Sequence, residues 1–268
     1  MILRIINSFP FFIVNTFGKG SQSGNPAAVC MINEWQSTEK LQSLAIQINQ
    51  PETAFVIPVK KGNWAIRWFS VNMEVDLCGH ATLAAAHCLW KKNKLNEIKF
   101  SSKTGVLNAR INSDRSVSLS LPISSCRPSR LSSKMIQGLG AYPESVWIGD
   151  NYLCLFESED IIQSLQPDFT LMQKLREAIG VIVTAPSLNK DYDFVFRYFA
   201  PRIGINEDQA TGSAHCMLIP FWTKRLQKKE LCAVQLSQRG GLFYGNATEK
   251  EIILRGSAEE FITGEIRL

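Results

Sequence analysis

Three short stretches of this chain carry residue types that move protons or hold anions. The first centres on Glu52, which follows Pro51 and leads into Thr53-Ala54-Phe55-Val56-Ile57. A carboxyl group fixed where a helix gives way to a strand, ahead of an apolar run, suits proton transfer; a solvated loop glutamate is the plainer reading of the same residue. The second is Cys78-Gly79-His80, followed by the small, apolar Ala81-Thr82-Leu83-Ala84-Ala85-Ala86. Free amides at a helix start, unobstructed at Gly79, make a seat for an anionic group, and His80 brings a titratable imidazole to the same place. A tight turn with a core histidine accounts for this stretch equally. The third is Thr211-Gly212-Ser213-Ala214, which again opens an apolar run, Met217-Leu218-Ile219-Pro220-Phe221-Trp222. Two such helix starts facing each other would enclose one anion site, and the turn Ser237-Gln238-Arg239-Gly240-Gly241 could line it.

The elements that must position these groups can be read from hydrophobic period. Trp64-Ala65-Ile66-Arg67-Trp68-Phe69 has the pattern of a strand buried on both faces, and Ala81 to Trp90 that of a helix sheathed by protein. Ser37 caps a helix with apolar Leu41, Leu44, Ala45 and Ile48, ended by Pro51. Strands are expected at Phe11–Val14, after Gly24-Asn25-Pro26, at Gly105–Ile111 and at Ser116–Leu121. Pro122 to Ser133 reads as the boundary between two halves, residues 1–121 and 122–259, the second repeating the first in outline. Asp168 is expected to cap a helix reaching about Ala178, Pro220 to kink the last helix, and Ile252–Arg255 and Ile262–Arg267 to be terminal strands. The glycines at 18, 20 and 24 do not form a dinucleotide fingerprint, because the third falls one position late and Pro26 follows.

Composition excludes several classes. The 268 residues are 45% hydrophobic and 20% charged, as in a globular protein with a sizeable core. The net charge of +5, from 29 basic and 24 acidic residues, is scattered and forms no basic stripe for nucleic acid; it favours an anionic metabolite weakly. Seven cysteines without a C-x-x-C pair argue against a disulfide framework and a zinc knuckle. His87-Cys88 and His215-Cys216 lie inside apolar helices, where core packing explains them better than a metal. There is no membrane-spanning run and no signal-peptide pattern, so a cytoplasmic protein is expected.

Six motifs in order carry a resemblance over nearly the whole chain: Gly24-Asn25-Pro26-Ala27-Ala28-Val29; Asn49 with Glu52-Thr53-Ala54-Phe55-Val56; Arg67-Trp68-Phe69; Glu74-Val75 with Leu77-Cys78-Gly79-His80-Ala81-Thr82; Glu207-Asp208 with Thr211-Gly212-Ser213-Ala214-His215; and Ser237 with Arg239-Gly240-Gly241. On these the chain resembles the PhzF-like isomerase family of phenazine biosynthesis, related in fold to diaminopimelate epimerase. The resemblance implies an α+β fold of two similar halves. Each is a curved, mostly antiparallel or mixed sheet wrapped around a central apolar helix, with a last strand (about 260–268) returning to the first half. It also implies an active site in the cleft between halves, frequent homodimers, and proton transfer between carbons without metal or organic cofactor.

By that resemblance Glu52 is the proton-transfer residue, and His80, Asp208 and Ser213 hold and polarise a small carboxylate-bearing substrate. Asn25, Cys78, Gly79, Ala81, Gly212, Ala214, Arg239, Gly240 and Gly241 are expected around them. Pro51, Ser70-Val71, Asn15 and Gln209-Ala210 depart from the usual pattern, in ways that alter the cleft wall rather than remove a catalytic group. Cys78 departs from the phenazine enzyme toward the epimerase branch, where a cysteine here is one of two acid/base thiols; the partner position in this chain is Thr211. The leading expectation is a cofactor-independent isomerase. An epimerase using Cys78 with Glu52, and a non-catalytic small-molecule-binding protein, are the alternatives.

Overall fold

A computed structural model describes residues 8–20, 22–60 and 62–267. The chain divides into two compact units, one running to Ser120 and taking in the chain from Gly256 onward, the other spanning Leu121–Arg255. Both are α+β, with mixed parallel and antiparallel strands and one apolar helix apiece packed on them.

In the first unit the elements are β1 (Ser8–Thr16), β2 (Asn25–Met31), α1 (Thr38–Ile48), β3 (Glu52–Lys60), β4 (Asn63–Ser70), β5 (Glu74–Val75), α2 (Gly79–Asn93), β6 (Glu97–Ser102), β7 (Gly105–Ile111) and β8 (Val117–Pro122). Strand β2 pairs antiparallel with β1 and parallel with β3, β3 antiparallel with β4, β4 parallel with β6, and β6–β7–β8 follow as antiparallel neighbours. Crossover helices explain the two parallel joins: α1 connects β2 to β3 and α2 connects β4 to β6. The sheet is buried on both faces, so β3 and β4 read as nearly continuous apolar runs rather than strict alternation. Cys30, Phe55 and Phe69 pack against Leu41 and Ala45 of α1. On the opposite face lies α2, whose residues from Gly79 to Leu89 are all buried, against β1, β2, β3 and β7. Ser37 caps α1 by accepting the Lys40 amide, as its type predicts, and Asn49 ends the helix in the left-handed region (φ 54°) just ahead of Pro51.

The second unit contains β9 (Arg127–Ser129), α3 (Ser133–Leu139), β10 (Ser145–Ile148), β11 (Tyr152–Leu155), α4 (Glu159–Ser164), α5 (Phe169–Met172), β12 (Val181–Pro186), β13 (Phe194–Phe199), a 3₁₀ turn (Pro201–Ile203), α6 (His215–Leu226), β14 (Glu230–Gln235), β15 (Gly241–Ala247) and β16 (Glu251–Gly256). Its strands follow in chain order across the sheet, with β11–β12 and β13–β14 parallel. Val183, Val195 and Phe199 face the cluster built by α3, α4 and α5. Phe194, on the alternate face, stacks on Trp222 of α6 at 5.2 Å. Pro220 sits inside α6 and cannot donate to the Cys216 carbonyl; the Ser124 amide takes that carbonyl instead, at 3.0 Å.

Strand β17 (Ala258–Arg267) closes the chain and pairs antiparallel with β1. The register slips between Ile13 and Val14, so Phe261 is a bulge residue and Glu260 is aimed at α2, where its carboxylate meets Lys91 at 2.7 Å and His87 at 3.7 Å. His87 is therefore a buried histidine with an ionic neighbour rather than plain packing. The helix expected from Asp168 to about Ala178 is shorter than its sequence suggests. Asp168 does cap it, accepting the Leu171 amide, but α5 stops at Met172 because the chain then tightens into three-residue turns that aim Leu175 into the core.

Candidate active site

The first unit gathers its chemical residues at one end of the β2–β3 parallel pair. Asn25 begins β2 and Glu52 begins β3, and the register places Ala27 opposite Glu52. Helix α2 packs over the same two strands, which brings its N-terminal residues Cys78, Gly79 and His80 to these strand starts. Imidazole Nε2 of His80 lies 3.1 Å from Glu52 Oε2. The approach has ion-pair distance but is not aligned along the ring N–H, so Nε2 has no directed hydrogen bond. On the other side of the ring, Nδ1 lies 3.5 Å from both Cys78 Sγ and Asn25 Nδ2. All four residues are buried, with Glu52 the least so at 9% exposure.

Burial works against a charged His80, but the anionic forms of Cys78 and Glu52 outweigh it and hold the imidazole well above its ordinary value. Burial also pushes the Cys78 thiol up and Glu52 adds to the push, while His80 and the Ala81 amide pull the other way. The direction we adopt for the cluster is a readily protonated His80 beside a thiol that resists ionisation. Cys78 is the N-cap of α2 with extended backbone (φ −140°, ψ 106°), and the first backbone bond of the helix is Thr82 N–H to Cys78 C=O at 3.1 Å. The amides of Gly79, His80 and Ala81 thus precede the intrahelical ladder, and Ala81 directs its own at Cys78. Arg67 braces the loop leading here, with a bidentate pair to Glu74 at 2.7 and 2.7 Å.

Candidates in the second unit gather on the loop before α6. There Asp208 accepts the Gln209 amide at 2.9 Å and the Thr211 hydroxyl at 2.6 Å, so its carboxylate braces its own loop. Gln235, fully buried on β14, ties the loop down by accepting the Thr211 amide and donating to the Asp208 carbonyl, both at 2.6 Å. Ser237 donates to the Gln209 carbonyl at 2.5 Å and receives the Gly240 amide, and the Arg239 amide bonds the Gln209 side chain. The turn Ser237–Gly240 is thereby clasped to the Asp208 loop, with Gly240 in the left-handed conformation (φ +70°) that glycine tolerates. A Cβ at Gly241 would sit 2.9 Å from the Ala210 Cβ and 2.8 Å from the Phe243 ring, so this approach is open only to glycine.

Helix α6 proper begins at His215, three residues later than Gly212. The preceding turn is a 3₁₀ lead-in, with His215 N–H to Gly212 C=O and Cys216 N–H to Ser213 C=O, both 3.1 Å. Gly212 and Ala214 are buried in this lead-in and Ser213 is half-buried. His215 is a core residue: Nδ1 lies 3.1 Å from the Thr211 carbonyl, and the rings of Phe243 and Phe196 stand at 4.2 and 5.0 Å. Residue-by-residue reading missed Gln235 and Arg197. Arg197 holds Glu207 bidentately at 2.7 and 2.9 Å and donates to the Ile162 and Leu165 carbonyls. The local signal for this pair was present, since Arg67 and Glu74 occupy the same place relative to α2.

The fold is that of the PhzF family proteins, and the similarities below place the chain among enzymes of the isomerase class. The chain belongs to the phenazine biosynthesis-like protein family (PhzC-PhzF), which matches residues 14–264. An uncharacterized isomerase of Pseudomonas aeruginosa is 42% identical over 265 residues, covering 96% of this chain and 98% of that one. A second, from Halalkalibacterium halodurans, is 38% identical over 268 residues, covering 97% and 98%. Among solved structures, a PhzF family protein of Enterococcus faecalis superposes with a TM-score of 0.92 at 35% identity, covering 98% of this chain and all of that one. No helix among the described residues is long and apolar enough to cross a membrane.

Proposed function

We propose that this isomerase moves a proton between carbons of a small carboxylate-bearing substrate, with Glu52 as the base that removes the proton and the acid that returns it. The observation that carries this reading is the buried Glu52–His80 approach of 3.1 Å at the start of α2. In the first step a substrate C–H bond breaks, its proton bonds to a Glu52 oxygen, and the electron pair delocalises into the substrate's conjugated system. His80, beside the same carboxylate, donates to the oxygen on which charge gathers. In the second step Glu52 returns the proton to a different carbon, so the enzyme ends unchanged. The first-turn amides of α2 at Gly79 and His80 seat the substrate's carboxylate. Within the second unit, Asp208 keeps the loop before α6 in shape by accepting the Gln209 amide and the Thr211 hydroxyl.

The test is deuterium uptake from heavy water by small cyclic and acyclic amino and hydroxy acids, which reports proton abstraction whatever the product. Wild-type protein is expected to label a substrate at carbon. Glu52→Gln keeps size and most hydrogen bonding, and should bind that substrate while losing at least about 10³-fold in exchange. Near wild-type exchange in Glu52→Gln overturns the assignment. One observation favours a second reading, an epimerase with Cys78 opposite Glu52: the Cys78 thiol lies in the same cluster, 3.5 Å from His80. That reading needs exchange and inversion at a single carbon and collapse of both in Cys78→Ala.

A further inference from the structure

The first unit holds a donor set that proton transfer alone does not require. One ligand atom each from Glu52, Cys78 and His80 lie within 4.8 Å of one another, and all three residues are buried. We propose that these side chains form a binding site for a thiophilic divalent cation, Zn²⁺ foremost, whose occupancy blocks the enzyme.

The donors match that ion by type and by count. Zn²⁺ takes thiolate, imidazole and carboxylate together, and three protein ligands with an open fourth position are its usual arrangement where a further molecule binds. Ions that prefer an all-oxygen shell, such as Mg²⁺ and Ca²⁺, are disfavoured by the sulfur. Geometry agrees. Zn–S of about 2.3 Å and Zn–N of about 2.0 Å at a tetrahedral angle put sulfur and nitrogen about 3.5 Å apart, and Cys78 Sγ lies 3.5 Å from His80 Nδ1. Glu52, the least buried of the three, holds its carboxylate 3.1 Å from Nε2 on the other edge of the ring, so a cation on Nδ1 and Sγ requires that carboxylate to turn toward Cys78. The Ala81 amide already points at the sulfur, an outer-shell contact of the kind that orients a ligand.

On binding, the Cys78 S–H bond breaks and its proton goes to solvent, His80 likewise gives up the extra proton of its imidazolium, and the freed sulfur and nitrogen electron pairs bond to the cation. The same event occupies Glu52 and His80. Binding itself does not depend on what Glu52 does in catalysis; only the expected block rests on its role as the base.

The experiment is a cobalt titration of the reduced, chelator-treated full-length protein, without substrate, followed by Zn²⁺ competition. One equivalent of Co²⁺ should produce a thiolate-to-cobalt charge-transfer band and the intense visible bands of four-coordinate cobalt, both bleached by Zn²⁺. Cys78→Ala should abolish the charge-transfer band and weaken binding by about 100-fold or more, beyond the 10–100-fold of outer-shell changes. Cys126→Ala and Cys232→Ala, at half-buried cysteines elsewhere, should change neither. Absence of the band in wild-type protein, or its persistence in Cys78→Ala, overturns the proposal. Should Cys78→Ala not fold, X-ray absorption of the wild-type Zn²⁺ complex decides: one sulfur at about 2.3 Å with nitrogen or oxygen neighbours supports the site, and a shell without sulfur overturns it. Because these readings are spectroscopic, a Glu52→Gln variant that keeps its turnover would defeat the catalytic assignment and leave the metal result standing.

Discussion

His215 should make the second unit acid-sensitive by an amount that can be calculated. Its imidazole is fully buried, bonded through Nδ1 to the Thr211 carbonyl and enclosed by Phe196 and Phe243. Burial lowers its pKa from 6.5 to about 3, the bonds to the backbone of Thr211 and Gly212 opposing only in part. Between those values the unfolded chain binds a proton that the folded chain refuses. Stability therefore rises with pH through this window and falls as the solution is acidified below about 6.5. A pH unit is worth about 1.4 kcal/mol once the unfolded imidazole is fully protonated, and it is half protonated at pH 6.5, so acidification from pH 6.5 to 4.5 should cost about 2.3 kcal/mol through this one residue. The assay is urea unfolding at pH 6.5, 5.5 and 4.5 for wild type and His215→Asn, whose side-chain amide nitrogen corresponds to the Nδ1 that meets the Thr211 carbonyl. The variant starts less stable because it packs the aromatic cage poorly, so the quantity that matters is the difference in slope against pH. The other two histidines and the carboxylates titrate in both proteins and cancel. His80, held above its ordinary value, works in the opposite sense, contributing stability below its unfolded pKa that is lost as pH rises through the folded one. Parallel slopes for the two proteins would refute the reasoning, because they would mean that His215 accepts a proton in the folded state.

Further outcomes follow from particular contacts. Under the isomerase reading Cys78→Ala should keep proton exchange within about tenfold, whereas loss of a thiol acid/base would cost on the order of 10²-fold or more, measured by the deuterium assay. Arg197→Met should lower stability by about 2–4 kcal/mol in chemical denaturation, since it strands Glu207 and the Ile162 and Leu165 carbonyls; an unchanged midpoint would show that water replaces the guanidinium. Gly256→Ala should cost about 1–3 kcal/mol, because the new Cβ would collide with the buried Phe17 ring. Phe17→Leu should recover part of that loss in a double-mutant cycle, and strict additivity would remove the clash as its cause.

Local order was legible in the sequence wherever it depends on near neighbours. Ser37 and Asp168 are read correctly as caps because a cap is decided within three residues, and α2 stands out because its residues are apolar on every side. The strand-to-helix joint at Cys78-Gly79-His80 belongs to the same category, as does the core position of His215, although that residue opens α6 instead of lying inside it. Where α5 stops did not follow, since Leu175 and Ala178 leave the helical path to fill a core built by α3 and α4. Nor did the partner of His87, because Glu260 reaches it from the far end of the chain through a bulge at Phe261, and a bulge leaves no mark in composition. The 3.1 Å meeting of Glu52 with His80 is a matter of register: two parallel strands start side by side, and a helix crosses over their starts. The Asp208 loop depends likewise on Gln235, a buried amide on another strand whose two bonds exist only once β14 is paired. Sequence determined which residues are able to do chemistry and the local elements that carry them. Tertiary structure decided which of them touch, because side-chain partners are set by strand register and helix placement over distances that periodicity does not encode.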